Sequence, residues 1–345
     1  MPPPVIVNVD CAFLSNPGYQ YEQARFASIP AELRLTPARM EEEIVSACAG
    51  ADVILLEYAG TPITERVIAN LPRCRAMVKY GIGVDNIDIA AATKHRIVIC
   101  NAAAFCVEEV SDHALALLLA AARRVVAMDR NIRSGGWFDF PQANSVRRLR
   151  MLTVGLIGFG RVAQAVARKL QGWGMPILAF DPFAPTAPAG PHVRTVALDE
   201  LLRTSDLISI HVPLTADSRG MIGEAELRRM KNSAIVVNTS RGPVIDETSL
   251  VKALQEEWIA CAALDVFDSE PLAADHALLS LKNTILTPHY AGRSEDSMAE
   301  LKRTVADSVE AVVKGFWPPF PVNPQVAPRV PLRPWQEFQL STDAR

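Results

Sequence analysis

Residues 153–170 read TVGLIGFGRVAQAVARKL, and the order of their chemistry decides the fold. Residues 153–157 form a short apolar run of the kind that makes a strand buried on both faces. Gly158-Phe159-Gly160-Arg161-Val162-Ala163 follows as a G-x-G-x-x-A turn, and Val162, Val166 and Leu170 then recur at helical spacing. Strand, tight turn and helix in that order give a glycine fingerprint its meaning. Gly158 permits the sharp turn, Gly160 lets backbone amides approach a pyrophosphate, and Ala163 keeps helix and strand close. Phosphates would rest on the helix N-terminus, where unpaired N–H groups and the helix dipole favour negative charge. A second apolar run, 177–180, ends in Asp181, placed to accept hydrogen bonds from an adenosine ribose. The stretch is expected to bind a dinucleotide.

The bulk of the chain sets limits around that expectation. At 345 residues it is too long for one ordinary core, so two domains are expected. A net charge of -3 gives no electrostatic case for nucleic acid or a membrane surface. The longest strongly apolar stretch, 114–122, is too short to span a bilayer. The N-terminal MPPPVIVNVD enters a strand directly, without the basic-then-apolar layout of a signal peptide. Six cysteines are scattered with no C-x-x-C pair, so neither a metal set nor a redox pair is expected. They read as small buried hydrophobes in a reducing compartment, which points to the cytoplasm.

Along the first hundred residues, strand-like runs at 5–9, 51–56, 76–80 and 97–100 alternate with helical segments at 39–49, 64–70 and 89–94. Alternation of this kind predicts a parallel sheet with helices on its faces. VEEVSDHALALLLAAARRVV, 107–126, is the most helical stretch and is apolar over much of its circumference, as a core or interface helix would be. SGGWFDF, 134–140, breaks that helix. A second α/β unit runs from 153 to about 289, with strands expected at 154–157, 177–180, 207–211, 234–238, 260–265 and 284–286. The proline-rich piece 182–191 reads as a surface connection, 294–316 as an amphipathic helix stopped by Gly315, and the tail from Trp317 as extended.

Chemistry-bearing residues gather just past three of those strands. VVNTSRGPVID carries Arg241, ALDVFDSEPL carries Asp265, Asp268 and Glu270, and ILTPHYAG carries His289. Each has a bland reading as a surface or loop residue. Their shared placement at strand ends, where open α/β sheets bind ligands, argues for a site.

Arg241 in TSRG, Glu270 in DSEP and His289 in TPHYAG resemble the Arg/Glu/His set of the D-isomer-specific 2-hydroxyacid dehydrogenase family. The likeness extends through KYGIGVDNID, EEVSDHALALLLAAARR, VGLIGFGRVA and SIHVPLT, over about residues 50–315. CNAAAFCVEEVSDH, FDPF and YAGRSEDSMAEL resemble its C-terminal binding protein branch, which also holds phosphoglycerate-dehydrogenase-like proteins. The resemblance implies hydride transfer between NAD and a small 2-oxo or 2-hydroxy carboxylate. Arginine's planar fork suits a carboxylate, histidine can give and take a proton near neutrality, and a glutamate beside it favours the charged ring. Formate dehydrogenases of this superfamily carry glutamine where Glu270 stands, and the glutamate argues against that activity.

By the same resemblance, the backbone of Tyr80 and Gly81 would grip the substrate carboxylate and Lys79 would meet a distal anionic group. Val107, Gly158, Gly160, Arg161, Val162, Asp181, His211, Val212, Pro213, Thr239, Asp265 and Gly292 would line the cofactor, Asp265 at the nicotinamide amide. The implied fold is two Rossmann-like or flavodoxin-like parallel-sheet α/β domains with a cleft between them. A substrate domain would comprise 1–101 plus 292–330, an NAD domain 102–291, and an extended tail 331–345. A homodimer through the 107–126 region is the expected assembly, with no nucleic-acid or membrane partner. The alternative implied by the branch is an NADH-responsive scaffold or corepressor with little turnover.

Asp181 followed by proline, with no arginine pair after it, favours NAD over NADP, because its carboxylate repels a 2′-phosphate. Asp181→Ala should weaken NADH binding and narrow the gap between NADH and NADPH. Equal catalytic efficiency of the wild type with the two cofactors would overturn the assignment.

Overall fold

The computed structural model describes residues 2–10, 20–29, 31–57, 60–137, 146–182 and 192–343. The proline-rich connection from 183 and the loop from 138 therefore lie outside the described residues. The chain divides into two compact units, 1–105 with 294–345, and 106–293.

The first unit holds β1 (Val5–Val9), β2 (Glu32–Thr36), β3 (Val53–Leu56), β4 (Ala76–Lys79) and β5 (Val98–Cys100) in the order β2-β1-β3-β4-β5, all parallel. That is the flavodoxin-like order. β1, β3, β4 and β5 are buried on both faces, which is why each reads as a mostly apolar run, with Asn8 in β1 and Lys79 at the end of β4 as buried exceptions. β2 is an edge strand with the sequence ELRLT and no buried residue, so apolar patterning gave no sign of it. The helix Glu295–Val313 buries Leu301, Val305 and Val309 against one face of the sheet.

The tail, expected from its prolines to be extended, is so only in part. Residues 320–323 run beside β5: Val322 N donates to Ile99 O at 2.7 Å, and Asn323 Oδ1 accepts from Ile99 N at 2.8 Å. Asn323 Nδ2 donates to Ile97 O and Thr93 Oγ1, both at 3.0 Å, so a fully buried amide closes three hydrogen bonds. Residues Trp335–Asp343 then form a helix. Trp335 stacks on Phe338 with ring centroids 4.9 Å apart, and Phe338 meets Phe316 edge-on at 5.6 Å. An aromatic cluster therefore overrides the extended bias of the prolines.

The second unit holds β6 (Val154–Ile157), β7 (Ile177–Phe180), β8 (Val193–Thr195), β9 (Leu207–Ile210), β10 (Ile235–Asn238), β11 (Cys261–Leu264) and β12 (Thr284–Leu286). They form one parallel sheet in the order β12-β11-β10-β9-β6-β7-β8. The order reverses between β6 and β9, as in doubly wound dinucleotide-binding sheets. β8, a three-residue edge strand, left no apolar run to read.

The expected helix 107–126 is two helices. Val107–Ala122 buries one stripe, including Ala114, Leu117, Leu118 and Ala122, against the helix Arg161–Leu170 and the sheet. Arg124 takes a left-handed φ of 55° and ends the run, and Val125–Arg133 follows with no buried residue. The break precedes the SGGWFDF segment expected to cause it.

Asn323→Ala would leave the Ile99 amide and the Ile97 carbonyl without their side-chain partner, and each such loss costs roughly 1–3 kcal/mol. The variant should melt several degrees below the wild type, measured by calorimetry. An unchanged melting temperature would mean the tail contributes nothing to the first unit.

Candidate active site

The strands of the second unit that carry expected site residues end at one level. Ile157 pairs with Phe180 and with Ile210, Ile210 with Asn238, Asn238 with Leu264, and Leu264 with Leu286. The residues that follow, Gly158, Asp181, His211, Thr239, Asp265 and Thr287, thus form a row along the C-terminal edge. Backbone bonds extend into the row: Gly158 N to Phe180 O and His211 N to Ile157 O, both 2.7 Å. Open parallel sheets bind their ligands at this edge.

The glycine turn sits at the centre of the row. Gly158 has φ +85°, and a Cβ there would lie 2.8 Å from the Val212 amide nitrogen, so no side chain fits. Gly160 is the N-cap of Arg161–Leu170 without a side-chain cap, and no atom lies within 4 Å of an added Cβ. The first-turn amides can thus be approached closely. Asp181 Oδ2 accepts from Phe159 N at 2.8 Å, fastening the carboxylate to the turn. His211 Nε2 and Thr239 Oγ1 are buried without partners. Burial presses the His211 ring down to about 4, which keeps it neutral at neutral pH. Buried polar atoms need partners, and these two beside the glycine turn fit a dinucleotide that brings its own. Arg161 and Pro213 are exposed and Val107 and Val162 half-buried around this turn. Gly292 closes against Cys106, where an added Cβ would stand 3.2 Å from Sγ.

Arg241, Glu270 and His289 come from the loops after β10, β11 and β12. A Cβ on Gly242 would fall 2.0 Å from the Phe267 carbonyl carbon, so glycine lets the Arg241 loop press directly on the loop leading to Glu270. Asn238 holds the Arg241 loop, donating from Nδ2 to Arg241 O at 2.9 Å and accepting from Ser240 N at 3.0 Å. Arg241 Nη1 donates to Ser240 O at 2.7 Å. Glu270 Oε2 stands 2.6 Å from His289 Nδ1, and Glu270 Oε1 accepts from Phe267 N at 3.0 Å. Burial pushes the Glu270 carboxyl up, but the His289 hydrogen bond and charge, the Phe267 amide and the Arg241 charge together hold it below its ordinary range. The side chains of His289 and Glu270 are 43% and 33% exposed, so a ligand can reach the pair.

Asp265 holds the histidine's loop. It is fully buried, and its Oδ1 accepts from Thr287 Oγ1 at 2.5 Å and Tyr290 N at 2.8 Å, its Oδ2 from Ala291 N at 2.9 Å. Its carbonyl accepts from His289 N at 2.8 Å. His289 has a left-handed φ of 50°, unfavourable for a side chain with a Cβ. The surrounding bonds hold it there. Its carboxylate thus anchors the histidine's loop, a part that the resemblance did not imply.

Lys79, Tyr80 and Gly81 belong to the first unit. Lys79 is buried at the end of β4 and its Nζ donates to Glu57 O at 3.2 Å. Tyr80 OH donates to Glu22 Oε1 at 2.8 Å, and Gly81 has φ +137°. Two residues of the His289 loop network, His113 and Thr287, escaped sequence reading. Their only sequence signals are a polar residue in an apolar helix and a threonine two places before the histidine.

Comparison with known proteins agrees with this geometry. The model of the D-isomer specific 2-hydroxyacid dehydrogenase family's NAD binding domain matches residues 115–291. The chain is 43% identical to a glyoxylate reductase of Korarchaeum cryptofilum over 283 residues, covering 81% of this chain and 84% of that enzyme. It is 40% identical to a glyoxylate reductase of Thermococcus litoralis, covering 76% and 81%. With a D-3-phosphoglycerate dehydrogenase of Archaeoglobus fulgidus it shares 35%, covering 83% of this chain but 54% of that enzyme. Among solved structures, a glyoxylate reductase from Paecilomyes thermophila superposes with a TM-score of 0.82 at 26% identity, covering 94% and 100%. A D-lactate dehydrogenase from Aquifex aeolicus, complexed with NAD and lactic acid, gives 0.80 at 26%, covering 90% and 96%. With the nucleotide-binding turn and the Arg–Glu–His loops on one edge of its larger sheet, the chain belongs to the D-isomer specific 2-hydroxyacid dehydrogenase family, and its cofactor is NAD.

Proposed function

We propose that this protein is an NAD-dependent reductase of a small 2-oxo acid without a charged tail, of the glyoxylate or hydroxypyruvate kind. The observation that carries the reading is the 2.6 Å contact between Glu270 and His289 beside the Arg241 loop, on the edge that carries the glycine turn. When bound, the reduced nicotinamide supplies the hydride. Gly158, Gly160, Arg161, Val162, Asp181, His211, Val212, Pro213, Thr239, Val107 and Gly292 hold the cofactor. Arg241 takes the substrate carboxylate in its planar fork and polarises the adjacent carbonyl. Glu270 accepts from Nδ1–H of His289, which leaves Nε2 to give its proton to the substrate oxygen as that oxygen becomes a hydroxyl. In the reverse direction the same nitrogen takes the hydroxyl proton.

Tyr80 and Gly81 keep their proposed part at the substrate carboxylate. Two observations favour an uncharged tail: the Lys79 ammonium is engaged by the Glu57 carbonyl, and the most similar relatives described above are glyoxylate reductases. The scaffold alternative is not supported by these relatives. We further infer a homodimer around the 107–126 region. Val125, Ile132, Trp137 and Met151 are 56%, 54%, 83% and 64% exposed in or near it, and covering them would remove apolar surface from water. No helix among the described residues is long and apolar enough to cross a membrane. The cytoplasmic placement is supported by the free thiols of Cys48, Cys74, Cys100, Cys106 and Cys261.

A panel of 2-oxo acids assayed with NADH tests the reading. Glyoxylate and hydroxypyruvate should turn over faster than a phosphorylated analogue, and inactivity across the panel would overturn it. Arg241→Ala should lose on the order of 10²–10³ in kcat/KM while still binding NADH, as loss of a transition-state donor does.

The pH response follows from Glu270. A carboxyl held below its ordinary range stays ionised as pH falls, so its pairing with His289 persists at mildly acidic pH and is lost only when Glu270 itself takes a proton. Glu270→Gln removes the charge that favours imidazolium, so the alkaline limb of the reductive kcat/KM profile should move to lower pH. An unmoved limb would mean that Glu270 does not govern the histidine's proton.

A further inference from the structure

The loop bearing His289 is tied to a helix remote in sequence by a line of side chains that the reaction itself does not use. His113, on Val107–Ala122, places Nε2 3.0 Å from Thr287 Oγ1 and 3.6 Å from Asp265 Oδ1. Thr287 Oγ1 is in turn 2.5 Å from Asp265 Oδ1. The direction of these bonds follows from what each group can do. A carboxylate only accepts, so the single hydroxyl proton of Thr287 goes to Asp265. The threonine oxygen then accepts, and His113 donates to it from Nε2–H. Asp265 carries the connection onward through Tyr290 N and Ala291 N to its side chain and His289 N to its carbonyl.

We propose that His113 and Thr287 are positioning residues for His289. His289 occupies a left-handed backbone conformation that an L side chain does not adopt unaided. The bonds that hold it converge on Asp265, a buried carboxylate whose own orientation must be fixed. Thr287 supplies one fixing bond and His113 locks the hydroxyl rotor of Thr287. Without the hydroxyl, the Asp265 side chain can rotate, and the amides of Tyr290 and Ala291 lose a constant partner. The imidazole then samples positions away from Glu270. A displacement near 1 Å can cost about a hundredfold in rate without touching binding. The catalytic consequence rests on the dehydrogenase reading above, whereas the loop geometry stands apart from it.

The test uses the full-length protein with Thr287→Val, Thr287→Ser, His113→Leu and His113→Gln. Valine keeps the shape of threonine without the hydroxyl, and glutamine can present an N–H near the place of Nε2. Thr287→Val and His113→Leu should lower kcat roughly 10–100-fold, with KM for the 2-oxo acid and NADH affinity changed less than about threefold. Thr287→Ser and His113→Gln should restore most of the rate. The double variant Thr287→Val/His113→Leu should be no slower than the worse single variant, because the two act in one line.

Amide hydrogen exchange at Tyr290 and Ala291 provides a readout independent of turnover. Exchange should quicken about tenfold in Thr287→Val and return toward wild type in Thr287→Ser. A wild type inactive on every 2-oxo acid would bring down the dehydrogenase reading, and exchange would still decide the loop. Unchanged exchange in Thr287→Val overturns the proposal. So does lowered thermal stability with kcat intact, or a rate loss that saturating NADH abolishes.

Discussion

The hydrogen-bonded register of the seven-stranded sheet is the constraint on which the rest depends. Parallel strands paired in step bring the residues after β6, β7, β9, β10, β11 and β12 to one level. A one-residue slip in any strand would turn its buried side chains to the other face and move its loop along the edge. The near-complete burial of β6, β9, β10 and β11 opposes such slips. The fine placement of a proton donor is thus underwritten by ordinary aliphatic packing well away from it.

Local features then sharpen what the register delivers. Gly158 and Gly242 are needed for different reasons: Gly158 has a positive φ and touches the Val212 amide, while Gly242 must let two loop backbones meet. Glu270 shows how opposing influences settle. Burial alone would push its carboxyl up, yet the pairing with His289, the Phe267 amide and the nearby Arg241 hold it below its ordinary range, so the histidine has a charged neighbour. Strain at His289 is tolerated because buried bonds to Asp265 surround it.

Much of this was legible in the sequence because it rests on patterns that sequence records. Apolar runs such as VGLI and LISI mark strands buried on both faces, and GFGRVA between strand and helix marks the turn. Edge strands β2 and β8 were silent, since partial exposure removes the apolar run. The helix end at Arg124 was silent too, because a left-handed arginine carries none of the glycine or proline marks of a stop. His113 and Thr287 meet across 174 residues, and only a folded chain shows that they touch. Placement after successive strands picked out Arg241, Glu270 and His289, and resemblance supplied their roles, but neither showed that Lys79 and Asp265 are buried.

The tail along β5 has a bearing on how the protein behaves in a crowded solution. β5 is the last strand of its sheet, and an uncovered parallel edge offers a row of N–H and C=O groups to any passing strand. Val322 and Asn323 occupy the groups of Ile99, and Pro321 bridges Cys100 while offering no N–H of its own. The chain thereby covers the groups of its own sheet edge at Ile99 and Cys100 with a segment that has one N–H fewer to offer a neighbour. A shortened protein ending before residue 317 would carry the same chemistry in its larger unit, yet it would present β5 as a template for self-association.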